Sequence, residues 1–185
     1  MDVDDTLVNA AREGDSRAFE ALVRIHVDRL YGAARLILRD TDLAEDAVQQ
    51  ALVRAWRDIR SLREPGRFGA WLQKLLIRAC YDELRRERRW SSRVRLLHGL
   101  DQTIGDPHTF AERELLDHAF RRLSRDHRAI LVLHFYLELE PVEIADRLAI
   151  PPGTARSRLH YAIAALRAAV EADDRTLSAS AGRLA

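Results

Sequence analysis

The chain has 185 residues, of which 47% are hydrophobic and 32% charged, so a packed core is feasible and wholesale disorder is not expected. Only 8 Gly and 5 Pro leave few residues for the tight turns of an all-β sandwich or barrel, whereas the helix formers Ala, Leu, Arg and Glu dominate. The single cysteine, Cys80, excludes an internal disulfide and a cysteine-rich zinc site. The composition predicts an all-α protein with no metal or cofactor.

The net charge of +1 is unevenly distributed along the chain. Residues 1–60 hold nine Asp, three Glu and nine Arg, whereas residues 67–95 hold eight Arg and Lys74 against only three acids. A basic segment of this kind is typical of proteins that bind a polyanion. The acidic N-terminus does not resemble a secretory signal, and no apolar run is long enough to span a bilayer. We therefore expect a soluble, cytoplasmic protein without a membrane partner.

Apolar residues at three- and four-residue steps predict a helical bundle over residues 1–90. A short helix precedes Gly14, and Asp15 opens a long one. Asp42, with Glu45 three residues later, predicts the capping box of the next helix, which carries an apolar stripe up to Ile59. After a turn at residues 61–66, a third long helix extends into an arginine-rich end at residues 85–89.

The second half of the chain predicts a smaller helical domain, residues 111–172, after a flexible linker at residues 91–110. Ser124 caps one helix, and Pro141 starts another at the N1 position that proline favours. Residues 150–153 form a turn, after which Thr154 is expected to cap a final helix. Residues 173–185 are predicted to form a disordered tail.

Residues 141–167 have the arrangement of a helix-turn-helix, in which the N-terminal residues of the second helix enter the major groove of DNA. The residues predicted to lie at that end are Thr154, Ala155, Arg156, Ser157, Arg158 and His160. From residue 150 to residue 170 all charged side chains are arginines, which suits an approach to phosphates. An ordinary helical hairpin with solvated arginines would show the same pattern.

The arginine-rich end of the third long helix also allows two interpretations. The arginines could simply be solvated cations at the negative end of the helix dipole. They could instead bind a phosphate backbone, while nearby aromatic residues such as Trp71 stack on unpaired bases. Phe68 and Trp71 also fit core positions of the bundle, and burial is the favoured interpretation for both.

Taken together, these segments resemble bacterial RNA polymerase sigma factors of the extracytoplasmic function group, over nearly the whole chain. The residues that carry the resemblance are Gly14-Asp15 with Ala18-Phe19-Glu20, Asp42 to Gln49 with Ala55-Trp56-Arg57, Phe68 with Ala70-Trp71-Leu72, Asp82-Glu83-Leu84-Arg85-Arg86, and Glu143-Ile144-Ala145 with Ile150 to Leu159. The acidic helix segment is the more specific part, because the helix-turn-helix alone occurs in other regulators.

The resemblance implies three binding surfaces, on core RNA polymerase and on two promoter elements. The polar side of the second long helix would bind the polymerase clamp through Asp42, Glu45, Asp46, Gln49 and Gln50. The third long helix and the 60–67 loop would recognise and help to open the −10 element through Phe68, Trp71, Lys74, Arg78, Arg85, Arg86, Arg88 and Arg89. The C-terminal helix would read the −35 element through residues 154–158, His160 and Tyr161. An anti-sigma partner commonly holds such factors inactive, and the sequence leaves its existence open.

Three positions depart from the pattern of the family. Ile77-Arg78 stands where Arg-Asn is usual, so a cation replaces the amide expected near the −10 bases. Tyr161 occupies a position that is frequently basic, and Glu140-Pro141 replaces a Ser or Thr cap.

Other classes of protein fit the sequence less well. An enzyme is not supported, because the seven histidines show no metal-ligand spacing and no phosphate loop, nucleophile elbow or carboxylate dyad occurs. We therefore expect no small-molecule substrate, and Cys80 fits a buried apolar position. A ligand-sensing or dimeric helix-turn-helix regulator would explain residues 141–167 but not the acidic helix. A helical adaptor that does not contact DNA is the third alternative.

Overall fold

The computed structural model describes the backbone of residues 3–91 and 110–181 and the side chains of residues 5–86 and 116–173. The described residues form eight α-helices and no β-strand. The helices are α1 Val3–Glu13, α2 Ser16–Leu38, α3 Thr41–Asp58, α4 Phe68–Ser91, α5 Phe110–Arg122, α6 Arg125–Leu131, α7 Pro141–Leu148 and α8 Pro152–Ala181. The chain divides into two units, Met1–Gly99 and Leu100–Ala185. The predicted all-α class with two helical domains is confirmed, whereas most of the predicted linker lies outside the described residues.

The N-terminal unit is a bundle in which α2, α3 and α4 pack against one another, with α1 added against α2. Small residues allow this close packing, since α3 buries four alanines against its neighbours. Larger side chains from the adjacent helices fill the remaining space. The largest of them are Leu22 and Ile37 on α2 and Phe68, Leu72 and Leu76 on α4.

The connection between α2 and α3 places the cap of α3 two residues earlier than the sequence predicts. Arg39 adopts a left-handed conformation (φ 60°) and ends α2. Asp40 then takes an extended conformation, and its carboxylate accepts the backbone N–H of Leu43 at 3.0 Å. The prediction of Asp42 as the N-cap is therefore wrong, because the left-handed turn at Arg39 puts Asp40 in the capping position.

The connection between α3 and α4 consists of two short 3₁₀ turns, Ile59–Ser61 and Pro65–Arg67, and packs against α1. Gly14 (φ 104°) ends α1 in a conformation that favours glycine, as the sequence predicts. The Arg60 side chain donates from Nε to the backbone carbonyl of Arg12 at 3.2 Å, near the end of that helix. The loop is therefore held from one side by the first helix of the chain.

The C-terminal unit is built around α8, which contacts α5, α6 and α7. Ser124 caps α6 by accepting the His127 backbone N–H at 3.2 Å, which confirms that prediction. At the start of α7, the Glu143 carboxylate accepts the Glu140 backbone N–H at 2.9 Å, as in a capping box. A glutamate thus compensates for the missing Ser or Thr.

Both ends of α8 differ from the prediction. Ala149 (φ 53°) ends α7, and α8 already begins at Pro152, so Thr154 lies inside its first turn and is not its cap. Proline suits this first position because its missing N–H would have no helical partner. At the other end the helix continues past residue 172 to Ala181, where a disordered tail was expected.

Asp173, one residue beyond the predicted end of α8, connects this helix to α5. It is a buried carboxylate that lies 2.9 Å from His118 Nδ1 and 2.9 Å from Arg122 Nη1, both on α5. The hydrogen bond from His118 lowers the pKa of Asp173 despite its burial, and Arg122 adds to the effect. These contacts hold this turn of α8 against α5.

Candidate functional site

The outer face of α3 presents a continuous exposed stripe. Asp42, Asp46 and Gln49 are all exposed and recur at steps of three and four residues, so they share one face of the helix. The same spacing continues to Val53, which is 62% exposed, and to Trp56, which is 40% exposed. We call these five residues the α3 stripe; it is acidic at the N-terminal end and apolar at the other.

The apolar half of the α3 stripe is missing from the sequence prediction, which assigned Trp56 to the buried side of the helix. In the structure the Trp56 ring packs against Phe19 of α2, with ring centroids 5.1 Å apart, and keeps its outer part exposed. The seven-residue separation between Gln49 and Trp56 could have indicated this position, because residues seven apart lie on the same helical face.

The remaining two residues predicted to bind polymerase behave differently from each other. Glu45 is exposed beside the α3 stripe. Gln50 is half-buried, and its amide donates to the Glu83 carboxylate of α4. Gln50 therefore lies on the side of α3 that faces α4, together with Arg54, which pairs with Asp82 at 3.1 Å.

A basic face runs along α4. Trp71 and Lys74 are half-buried, whereas Arg78 and Arg85 are exposed, and their spacing places all four on one side of the helix. Arg86, beside them, is also exposed and pairs with Glu83 at 2.8 Å. Arg85 lies 3.8 Å from Asp82, one turn earlier. The side chains of Arg88 and Arg89 lie outside the described residues.

Phe68, which was predicted to contact the −10 element, is buried in the bundle at 1% exposure. The centroid of its ring lies 5.5 Å from that of His26 and 6.0 Å from that of Trp71. The burial that the sequence favours for Phe68 is confirmed, and the predicted contact between its side chain and DNA is wrong, because the ring lies in the core. The Phe68 ring thus packs against Trp71.

The first three turns of α8 present a polar surface. Arg156, Ser157, His160 and Tyr161 are exposed, and Thr154 and Arg158 are half-buried. Arg156 and Tyr161 are thus both exposed, and Tyr161 stands at a position that is frequently basic in the family. The His160 and Tyr161 rings meet edge to face, 5.6 Å apart.

Ala155 is the exception in these turns. It has no exposed area and belongs to the core of the unit, so its predicted side-chain contact with DNA is wrong.

The described residues hold no group of three or more His, Cys, Asp or Glu side chains arranged for a metal ion. Burial raises the pKa of the Cys80 thiol to about 12, so the thiolate that a nucleophile requires is disfavoured. Cys80 is fully buried, as the sequence predicts. None of the described helices combines the length and hydropathy of a membrane span.

Known families match both units of the chain. Residues 22–90 match Sigma-70 region 2, and residues 119–168 match Sigma-70, region 4. The sequence is 33% identical over 171 residues to the ECF RNA polymerase sigma factor SigL of Mycobacterium tuberculosis, which covers 86% of this chain and 93% of SigL.

Two solved structures are similar in fold. CnrH, solved in complex with the cytosolic domain of CnrY, has a TM-score of 0.67 and 27% identity, covering 93% of this chain and 99% of CnrH. RpoE of Bartonella quintana, solved with the anti-sigma factor NepR, has a TM-score of 0.71 and 22% identity, covering 84% of this chain and 98% of RpoE.

The two matched regions follow the same order as the two helical units, and the similarity to SigL extends over most of both chains. The chain belongs to the ECF group of RNA polymerase sigma factors, which direct promoter-specific initiation of transcription.

Proposed function

We propose that the α3 stripe is the surface by which the N-terminal unit binds the clamp of core RNA polymerase. The observation that carries this assignment is the exposure of Val53 and Trp56 directly beyond the acidic residues. Large apolar side chains exposed next to polar ones are typical of protein interfaces. Because Asp42 is not needed as the helix cap, its carboxylate is available to a partner.

The basic face of α4 is proposed to bind the −10 element. Arg78, Arg85 and Arg86 are exposed there, and guanidinium groups pair well with phosphates. Trp71, half-exposed and supported by Phe68, is the ring best placed to stack on an unpaired base. Arg78 presents a cation where the family usually has an amide, so we expect it to bind backbone more than base edges.

Strand opening by this surface requires only differential binding. The chain shifts the equilibrium if it binds unpaired DNA better than duplex. Extruding one base costs a few kcal/mol, and stacking on an aromatic side chain offsets about 1–3 kcal/mol of that cost. The arginines of α4 would supply the remainder through phosphate contacts. We infer that the chain acts by binding and performs no catalysis of its own.

The N-terminal turns of α8 are proposed to read the −35 element. An α-helix fits the major groove, where each base pair presents a distinct set of donors and acceptors. Arg156 is the exposed cation nearest the N-terminus of the helix, and Ser157, His160 and Tyr161 extend the same surface. Phe135 and Val142 are large apolar side chains that are also exposed on this unit, and they are proposed to contact the polymerase flap.

An anti-sigma protein is proposed as a further partner. The two similar proteins CnrH and RpoE were each solved in a complex, with the cytosolic domain of CnrY and with the anti-sigma factor NepR. We place the chain in the cytoplasm, where polymerase and promoter DNA are found. Co-purification from cells that express the tagged chain tests for this partner.

Reconstitution with core RNA polymerase tests the whole assignment. The polymerase, with and without the purified chain, transcribes genomic DNA, and the start sites are mapped. We expect a new set of start sites that share two upstream elements. If start sites do not change, or the chain does not bind the polymerase, the assignment is wrong.

The double variant Arg85→Ala with Arg86→Ala tests the DNA surface of α4. We expect promoter opening, measured by permanganate reactivity of unpaired thymines, to fall by about tenfold or more, because two charge-assisted contacts are lost. The salt dependence of DNA binding should weaken by about two phosphate contacts. Affinity for core polymerase should stay unchanged. Arg24→Ala, which removes an exposed arginine of α2, is the control; equal loss of polymerase binding in the double variant would contradict the proposal.

A further inference from the structure

Two neighbouring carboxylates of α4 lie between the polymerase side of the bundle and its DNA side. Asp82 pairs with Arg54 of α3 at 3.1 Å and lies 3.8 Å from Arg85. Glu83 accepts the Gln50 amide of α3 and pairs with Arg86 at 2.8 Å. Each acid therefore contacts one polar side chain of α3 and one arginine of the basic face.

The two partners of the Glu83–Arg86 ion pair differ in solvent exposure. The Glu83 side chain is only 5% exposed, whereas that of Arg86 is 61% exposed. A buried carboxylate is stable only when its lone pairs are satisfied, and here both donors converge on the same oxygen, Oε1. Glu83 is thus a fixed acceptor, and Arg86 is the solvent-facing group that it holds.

A guanidinium held in this way can still bind a second anion. It has five N–H donors in a planar fork, and contact with Glu83 through Nη1 occupies one edge. The other edge can face a phosphate. A long side chain that is already ordered loses less conformational entropy when it binds than one that is free to rotate.

We infer that Glu83 is a positioning residue for Arg86 in promoter opening, with Gln50 of α3 as the second support of its carboxylate. The inference rests on the proposed role of Arg86 in binding DNA. It assigns Gln50, which the sequence placed with the polymerase contacts, to the DNA side of the bundle. Glu83 acts through Arg86 and does not contact DNA itself.

Glu83→Gln is the main test, since it removes the charge and keeps the shape of the side chain. The wild-type and variant chains are assembled with core polymerase on a promoter found by start-site mapping. Permanganate reactivity, polymerase affinity and the salt dependence of binding to non-specific DNA are measured. We expect Glu83→Gln to slow opening by about tenfold, as for a lost charge-assisted hydrogen bond, with polymerase affinity unchanged.

The salt dependence separates positioning from loss of a cation. Arg86→Ala should slow opening and also reduce the salt slope by about one contact. Glu83→Gln should slow opening without reducing the slope, because it removes no positive charge. The combination of both changes should open no more slowly than Arg86→Ala alone. Glu20→Gln, which removes an exposed carboxylate paired with Arg24 on α2, should behave as wild type.

Gln50→Ala is a second variant that tests the same inference if Glu83→Gln does not fold. It leaves the carboxylate and its pair with Arg86 in place, and we expect a smaller loss of opening in the same direction. Suppose that Arg86→Ala opens the promoter slowly. Normal opening by a folded Glu83→Gln chain would then overturn the inference. If Glu83→Gln does not fold, normal opening by Gln50→Ala would overturn it instead. The inference would also be overturned if the double variant lost opening rate by the product of the two single losses, because the two residues would then act independently. If Arg86→Ala leaves opening and DNA affinity intact, the proposed DNA role of Arg86 fails, and the inference fails with it.

Discussion

Within the first two turns of α8, the position of each residue around the helix decides whether its side chain can reach DNA. Ala155 is buried against the rest of the unit, while Arg156 and Ser157, the next two residues, are exposed. Arg158 is half-buried, so its guanidinium has less freedom to approach a base edge. Arg156 is therefore the residue of this surface most suited to specific recognition.

Arg156→Ala should relax the sequence preference at the −35 element. One well-placed arginine contact with a base contributes about 1–3 kcal/mol of discrimination. Transcription from a library of promoters with randomised −35 elements measures the preference at each position. Arg167→Ala is the matched control, because Arg167 is exposed on the same face of α8 but lies about 16 Å farther from its N-terminus. An unchanged preference in Arg156→Ala would refute the assignment.

Among the helices, α3 shows how far local sequence rules reach. The apolar periodicity predicts the helix and its buried alanines correctly. It does not distinguish Asp40 from Asp42 as the cap, since both are good capping residues and the choice depends on the left-handed turn at Arg39. That difference matters for function, because a carboxylate used as a cap is less available to a partner.

Asp40→Ala and Asp42→Ala should therefore affect different properties, the first mainly stability and the second mainly polymerase binding. Loss of the Asp40 cap should destabilise the N-terminal unit by about 1 kcal/mol. Loss of Asp42, an exposed acid in the first turn, should cost less than about 0.5 kcal/mol but weaken polymerase binding. Denaturant unfolding followed by tryptophan fluorescence reports on this unit, since all three tryptophans lie in it. The assignment is wrong if Asp42→Ala causes the larger loss of stability, or if it leaves polymerase affinity unchanged.

Contacts between elements account for most of what the sequence does not predict. Asp173, just beyond the predicted end of α8, contacts His118 and Arg122, which lie more than fifty residues earlier in the chain. Gln50 and Glu83 lie on two different helices, so no local sequence pattern predicts their contact. After α6 the chain passes into a π-helical turn, Val132–Tyr136, on which Phe135 is exposed, and no local sequence pattern predicts this turn.

For the whole molecule, the sequence predicts two weak DNA contacts joined through one polymerase. Each helical unit has only a few cations suited to phosphate, which gives low affinity at cellular salt. Binding of both to one polymerase makes the second contact intramolecular. A connection of roughly twenty residues, which spans at most about 66–72 Å when extended, can follow a separation of about 20 base pairs. Because both units would be bound to the same polymerase, the two promoter elements should act together only at a fixed spacing.

Insertion of five base pairs between the two elements tests this dependence on spacing. Five base pairs rotate one element by about half a helical turn relative to the other, so the two units cannot reach both grooves from one polymerase. We expect initiation to fall by at least about tenfold, to the level of a promoter whose −35 element is scrambled, because the intramolecular gain is lost. Scrambling the element in the lengthened promoter should then have no further effect. If the two losses multiply, the −35 element still contributes at the wrong spacing, and the coupled recognition described here is refuted.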